Sequence, residues 1–383
     1  MKKALLILIV FSIFSAGDAS AQDFTLGGDI SWYTEMVKQS QYQFVCRDGS
    51  VSTCTAQMAS YGLTAVRLRA WVDPSAGYNN KVDVVTKAKA AKSRGMDVMI
   101  DFHMSDGWAD PGQQTIPVAW QDHDATQMAE DIRVHVTDVL TALKDAGVTP
   151  RWVQIGNETN DGMLWDTGRL STHPDNFCAF INAGYEAVKA VCTNAKVIVH
   201  ISNGYDQSLF DWVFGILKKN KVKYDMIGMS LYPHYKENMT EAIDQTMANI
   251  KHLYTTFGKY TMICEVGLPV GADDSPKYMA DILSKAYGST NGYCKGIFYW
   301  EPECPSQWAG YKLGAATLTG KKVKLTAVMD EWWEFSTKLP TEISQVRSLE
   351  TGVSNDSYSL SGTPRLPGAP GVSILNGKKV LVK

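Results

Sequence analysis

Two glutamates stand where short apolar runs end. Glu158 closes Gly156-Asn157-Glu158 after Trp152-Val153-Gln154-Ile155, and Glu265 lies in Cys264-Glu265-Val266-Gly267 after Thr261-Met262-Ile263. Each run reads as a buried β-strand, so each carboxyl group would be presented at a strand end. Two such groups meeting across roughly 5–5.5 Å are what retaining glycoside hydrolysis requires: one protonates the leaving oxygen while the other attacks the anomeric carbon. Glu158 is read as the acid/base and Glu265 as the nucleophile. The acid must hold its proton near neutral pH, so burial or the partner's charge has to raise its pKa. The plainer alternative is a pair of ordinary loop carboxylates, which leaves their matching strand contexts unexplained.

Other side chains could serve the same chemistry. Asn157 can donate an amide hydrogen bond to a sugar 2-hydroxyl. Arg67 and Arg69 alternate with Val66 and Leu68, and one of them should face the interior, where a buried cation must be paired. Arg67 is favoured to orient the nucleophile, with purely structural pairing as the equal alternative. His103 and His234 follow strand-like runs and are placed to touch a sugar or the carboxylates, and Tyr232 can donate its hydroxyl to Glu265. Trp300 could form the floor under the reacting sugar. Of Trp71, Trp108, Trp120 and Trp308, about half are expected to stack on sugar and the rest to pin loops. Glu301 and Glu303 are reserve carboxylates, Glu303 being expected to point into a loop after Pro302. Zinc chemistry finds no His-x-His or His-Glu-x-x-His, and Ser-His-Asp hydrolysis finds no Gly-x-Ser-x-Gly.

The elements that must position these groups alternate regularly. Strand candidates fall at 26–31, 65–70, 97–102, 152–156, 196–202, 226–230, 262–266 and 296–300. Amphipathic helical patterns fall between and after them, at 82–94, 125–146, 174–191, 209–220, 240–257, 276–287 and 327–336. Continuous apolar strands indicate a parallel sheet covered on both faces. Eight β-then-α units favour a closed (β/α)8 TIM barrel over an open doubly wound sheet, and a Gly-x-Gly-x-x-Gly fingerprint is absent. In such a barrel the fourth and seventh strands carry Glu158 and Glu265 to opposite sides of one mouth.

The chain ends and the composition bound the rest. Lys2 and Lys3, an apolar stretch from Ala4 to Phe14, and Ala19-Ser20-Ala21 read as a signal peptide over 1–21, implying export to the periplasm, cell surface or medium. The catalytic domain is expected at 22–338. A linker and C-terminal β-hairpin tail are expected at 339–383, with Asn376-Gly377 at the hairpin turn. The tail resembles the C-terminal sorting or display segments of exported Bacteroidetes proteins, and an inert terminal hairpin is the alternative. A net charge of −3, with 37 basic and 40 acidic residues and no basic block, argues against nucleic acid and anionic membranes. No run reaches the roughly 18 apolar residues of a transmembrane helix. Seven cysteines leave at least one thiol unpaired. Cys46–Cys54 is the expected disulfide, with Cys294–Cys304 and Cys178–Cys192 as weaker pairs and Cys264 a free core thiol.

These residues together resemble glycoside hydrolase family 53, the endo-β-1,4-galactanases, over about 28–335. The resemblance rests on Gly28-Asp29-Ile30-Ser31, on Val66-Arg67-Leu68-Arg69-Ala70-Trp71-Val72-Asp73-Pro74, and on Gly156-Asn157-Glu158. Its most specific part is Asp101-Phe102-His103-Met104-Ser105-Asp106-Gly107-Trp108-Ala109-Asp110-Pro111-Gly112-Gln113-Gln114, closing with Pro117-Val118-Ala119-Trp120. Met104 departs from the tyrosine the family pattern leads one to expect. The resemblance implies retaining cleavage within the β-1,4-galactan of type I arabinogalactan, with Glu158 as acid/base, Glu265 as nucleophile and Asp106 among the binding residues. It implies no cofactor. Some bacterial relatives hold calcium in an acidic loop, but Gly271-Ala272-Asp273-Asp274-Ser275 lacks the fuller ligand series. A monomer acting on a polysaccharide is expected; the alternatives are a mannanase or glucanase of the same clan, or an exported carbohydrate-binding protein without turnover.

Overall fold

The computed structural model describes residues 24–339 and the strands Ser357–Tyr358, Pro364–Arg365, Gly371–Leu375 and Lys378–Val382. The leader read at 1–21 and most of the stretch read as linker lie outside the described residues.

Eight parallel strands close into a barrel: Thr25–Asp29, Ala65–Ala70, Asp97–Phe102, Trp152–Ile155, Lys196–Ile201, Met226–Leu231, Thr261–Val266 and Cys294–Trp300. Closure is direct, since the first strand pairs with both the second and the eighth. The strands are largely apolar because both faces are covered. Val66, Leu68, Val98, Ile100, Val153 and Ile155 join the main core with the helices, while Ala65, Met99, Trp152, Ile198, Met226, Met262, Cys264 and Phe298 plug the barrel interior. Two residues further along several of these strands the interior turns polar, at Arg67, Asp101, Gln154 and His200. The apolar plug is thus the base on which a polar layer sits, as the two-residue strand period requires.

The expected helices form with shifts of one or two residues at most of their ends; Ala125–Asp145 starts on a reciprocal cap between Asp124 and Gln127, and Met239–Phe257 stops at Gly258 with φ 67°. The sequence reading missed the helices Tyr33–Ser40 and Cys54–Ser60. It also missed a small sheet of Gln43–Val45, Val51–Ser52, Ala316–Thr319 and Lys322–Leu325. Strands of two to four residues carry too little periodicity to be read. The side-chain amide of Gln57 donates to Val45 O and Val323 O, both at 2.9 Å, and ties that sheet to the second of these helices.

The expected disulfides are corrected. All seven cysteines are free and buried. Cys46 ends a hairpin strand, its N–H bonded to Ser50 O, whereas Cys54 opens a helix and its thiol lies within the field of Glu303 and Lys87. Cys294 and Cys304 direct their thiols to the carbonyls of Gly296 and of Pro305 and Trp308, respectively. Cys264 is a core thiol inside the barrel, as expected. In the C-terminal unit, Gly371–Leu375 and Lys378–Val382 pair antiparallel in the hairpin register the turn signal implies, and Ser357–Tyr358 and Pro364–Arg365 extend the sheet.

Candidate active site

Arg67 occupies the centre of the polar layer, fully buried. Its Nη1 lies 2.8 Å from Asp29 Oδ2, and its Nη2 lies 2.8 Å from Asp101 Oδ2 and 2.9 Å from Glu265 Oε1. Nε donates to Gln154 Oε1 at 2.7 Å and Nη2 to Asn157 Oδ1 at 2.8 Å. A buried cation of this kind is stable only when so fully paired. Burial alone would raise Asp101, yet Arg67 and His103 hold its carboxyl down at about 2.

Glu265 reaches this layer through an irregularity in its strand. Met229 pairs with Ile263 and the next residue, Ser230, pairs with Glu265, so Cys264 is skipped. Met262 and Cys264 already face inward, and strict alternation would turn Glu265 outward. The bulge places consecutive residues on the same side and aims Glu265 into the mouth. There its Oε1 meets Arg67, and Tyr232 donates its hydroxyl to Oε2 at 2.9 Å. Burial raises the Tyr232 phenol well above its ordinary range, so it remains a donor.

Glu158 is turned into position by backbone rather than by the strand itself. Gly156 has φ 83° and Glu158 has φ 44°, both in the left-handed region. Asn157, between them, bonds Arg67 and His200 and donates to Ala109 O at 2.8 Å, while Glu158 Oε1 accepts from the Ser230 hydroxyl at 2.6 Å. Burial raises the Glu158 carboxyl to about 7. Glu265 is also raised by burial and by the charge of Glu158, against the pull of Arg67. Two carboxyl groups close together in one cleft disfavour ionisation of both near neutrality. Glu265 has an arginine and a phenol on its oxygens whereas Glu158 has only a serine hydroxyl, a setting that favours the ionised form more at Glu265 than at Glu158.

Both glutamates line one cleft of about 380 Å³, together with His103, Trp108, Asn157, Ser202, Asn203, Tyr232, Tyr235, Trp300 and Tyr311. The glycosyl hydrolase family 53 model matches residues 25–293, more than half of the chain. The chain belongs to family 53. It is 30% identical over 285 residues to a probable arabinogalactan endo-beta-1,4-galactanase A of Aspergillus terreus, covering 67% of this chain and 79% of the relative. It is 27% identical over 296 residues to an arabinogalactan endo-beta-1,4-galactanase of Thermothelomyces thermophilus, covering 71% and 88%. Among solved structures, a fungal beta-1,4-galactanase superposes with a TM-score of 0.73 at 23% identity, covering 81% of this chain and 99% of that one. The family 53 catalytic domain of Ignisphaera aggregans does so with the same score and identity, covering 83% and 98%. At this identity the superpositions speak for the fold alone.

Of the side chains singled out in this family 53 sequence, Glu158, Glu265, Asn157, His103, Tyr232, Trp108 and Trp300 line the cleft, and Arg67 stands directly behind Glu265. Both ring nitrogens of His103 are already engaged, Nε2 with Asp101 at 2.8 Å and Nδ1 with the Ala109 N–H at 3.2 Å. Burial keeps it neutral, so it can offer a sugar its ring but no free nitrogen. Five other candidates sit outside the lining. Asp106 accepts the backbone N–H groups of Asp73 and Val118 and so joins two loops. Trp71 backs Trp108 at 5.5 Å, and His234 packs under Tyr235. Trp120 and Trp308 are buried and pin loops.

Arg69 also faces inward, where one inward arginine was expected, and its guanidinium lies 4.1 Å from the Trp108 ring centre. The reserve carboxylates are corrected: Glu301 and Glu303 are both fully buried outside the cleft, Glu301 receiving the Trp32 N–H at 3.1 Å. Sequence reasoning missed Ser202, Asn203, Tyr235 and Tyr311, which have no pattern of their own and line the cleft from loops, and Ser230, which reaches Glu158 from the sixth strand. His200 was also missed; it bonds Asn157 and Ser230 at 3.0 Å each from the fifth strand. Its place in a strand two residues after the inward Ile198 was a legible signal.

Proposed function

We propose that this enzyme hydrolyses internal β-1,4-galactosidic bonds of galactan, the side chains of type I arabinogalactan in pectin, by double displacement with retention. The observation that carries the reading is the unequal setting of two carboxyl groups in one cleft, Glu158 accepting from Ser230 alone and Glu265 held by Arg67 and Tyr232. The galactanase names of the relatives support the choice of sugar.

In the first step Glu265 attacks the anomeric carbon while Glu158 gives its proton to the departing oxygen. Glu158, now a carboxylate, accepts a proton from the water that hydrolyses the intermediate. Arg67 and Tyr232 stabilise the glutamate that leaves. Asn157 keeps one amide N–H beyond its bond to Ala109 O, directed by its place in the cleft to a sugar hydroxyl. Every proton and electron pair moves between these side chains, the sugar and water, and no cofactor enters the proposal. Among the described residues no group of three or more His, Cys, Asp or Glu is arranged to hold a metal.

The reading further includes export by a leader at 1–21, a catalytic domain at 22–338, a linker and hairpin tail at 339–383, and action as a monomer. No helix among the described residues is long and apolar enough to cross a membrane. The test is product release from pectic galactan beside mannan and β-glucan, with the anomer of the first product followed by NMR. Galacto-oligosaccharides formed first as the β-anomer support the proposal. Preference for mannan or glucan would reassign the sugar, an α-anomer first would overturn retention, and no turnover on any of them would leave a binding protein.

A further inference from the structure

Two exposed aromatic rings line the cleft, on different walls. Trp108 is 39% exposed and comes from the loop after the third strand; Tyr235 is 69% exposed and ends a single turn, Pro233–Tyr235, after the sixth. Trp108 belongs to a packed cluster with Trp300, Trp32 and Trp71. Tyr235 has no place in that cluster. A large ring so open to water loses apolar burial, and singly such a residue needs no explanation; inside a polysaccharide-binding cleft it does.

Its surroundings hold the ring rather than cover it. The His234 ring lies 3.9 Å behind it, centre to centre, and Tyr232 lies 6.1 Å away. Burial lowers the pKa of His234, so the backing ring is neutral. Pro233 stiffens the turn, which the Lys236 N–H closes on Pro233 O at 2.9 Å. The neighbouring loop is braced to it: Tyr205 donates to Asn203 at 2.9 Å, the Lys236 ammonium lies 5.2 Å over the Tyr205 ring, and the Gly204 N–H bonds Ser230 O at 2.8 Å. Ser202 in turn accepts the Asn160 side-chain amide at 2.6 Å, two residues beyond Glu158. Glu158, Ser202, Asn203 and Tyr235 therefore form one connected wall of the cleft, and Trp108, Trp300 and Tyr311, in ring contact with one another, form another.

The chemistry gives these walls different sugars. Glu158 must stand beside the glycosidic oxygen, between the sugar that is attacked and the sugar that leaves. With the attacked ring over Trp300, the leaving ring extends past Glu158 toward Tyr235. We infer that Tyr235 is the stacking platform for the leaving-group sugar, and so a determinant of which bond in the polymer is cut. This rests on the glycosidase reading of the same cleft and goes beyond it in assigning a residue to the aglycone side.

The test compares galactan with β-galactobiosyl fluoride, whose leaving group has no ring to stack. Tyr235→Ala should lower kcat/KM on galactan relative to the fluoride by about tenfold, the size of one aromatic stacking contact. Tyr235→Phe, which keeps the ring, should restore the ratio. In reducing-end-labelled galactopentaose, Tyr235→Ala should move the preferred cleavage site, since one aglycone contact is gone. An unchanged ratio and cleavage site in Tyr235→Ala, or an equal loss on both substrates, would overturn the assignment. Failure of the unsubstituted enzyme to cut galactan at all would instead count against the galactanase reading, so the two failures are distinguishable.

Discussion

Ser230 donates its hydroxyl to Glu158 Oε1 across 2.6 Å, and the backbone of the same serine is in register with Glu265. A single residue thus touches Glu158 through its side chain and neighbours Glu265 through its strand. The bond favours the ionised form of Glu158, acting against the burial that raises it to about 7. Ser230→Ala removes that opposition. The alkaline limb of the kcat/KM profile, where Glu158 loses its catalytic proton, should move to higher pH by up to about one unit. A pH–rate profile with an unmoved alkaline limb would refute the role.

The two carboxyl groups should respond differently to removal. Glu265→Ala should abolish turnover on every glycoside, because no other group reaches the anomeric carbon. Glu158→Gln should lower kcat on galactan by roughly 10²–10⁴-fold, the usual worth of general acid catalysis. It should lose far less on the first step of a glycosyl fluoride, which needs little protonation. Steady-state and burst kinetics on the two substrates check the difference.

Arg67 is the cation on which three carboxylates depend. Arg67→Met should strip Asp29, Asp101 and Glu265 of their pairing, costing about 3–5 kcal/mol of stability. Protons would then be taken up by the orphaned carboxyl groups, and Glu265 would lose nucleophilicity near neutral pH. Urea denaturation and kcat across pH measure the two effects; a stable, fully active variant would contradict this account.

Gly156 carries a positive φ of 83° just after the fourth strand, one residue before Asn157 and two before Glu158. A Cβ there would lie 2.5 Å from Thr159 Cγ2 and 3.1 Å from Met163 Sδ. Gly156→Ala should cost about 1–3 kcal/mol through strain and overlap together. Thermal denaturation gives the first, and lowered kcat with a modest change in KM would report displaced Glu158.

Glu303 is fully buried, and that burial raises its carboxyl to about 8. The folded state therefore binds its proton more tightly than the unfolded chain does. The stabilising contribution is complete below the unfolded value near 4.5 and is lost as pH rises toward about 8. Glu303→Gln cannot ionise, so its stability should fall less between pH 5 and pH 8 than that of the unsubstituted enzyme. Parallel slopes in denaturation experiments at those pH values would refute the linkage.

The sequence alone determined the alternation of strand and helix, and with it the barrel. Continuous apolar strands can be buried only between an interior plug and a helical shell, so local pattern and global architecture state the same constraint. It also determined the identities of Glu158 and Glu265, because each marks the end of a strand. The tertiary structure decided where side chains point. Period-two reasoning turns Glu265 away from the face of Cys264; a bulge against Ser230 turns it back. Asp106, Trp71 and His234 carry suitable chemistry but are used to brace loops and rings, whereas Tyr235 reaches the cleft and Ser230 reaches Glu158 from contexts without a motif. Loop direction depends on contacts between segments distant in sequence, and no local pattern records those.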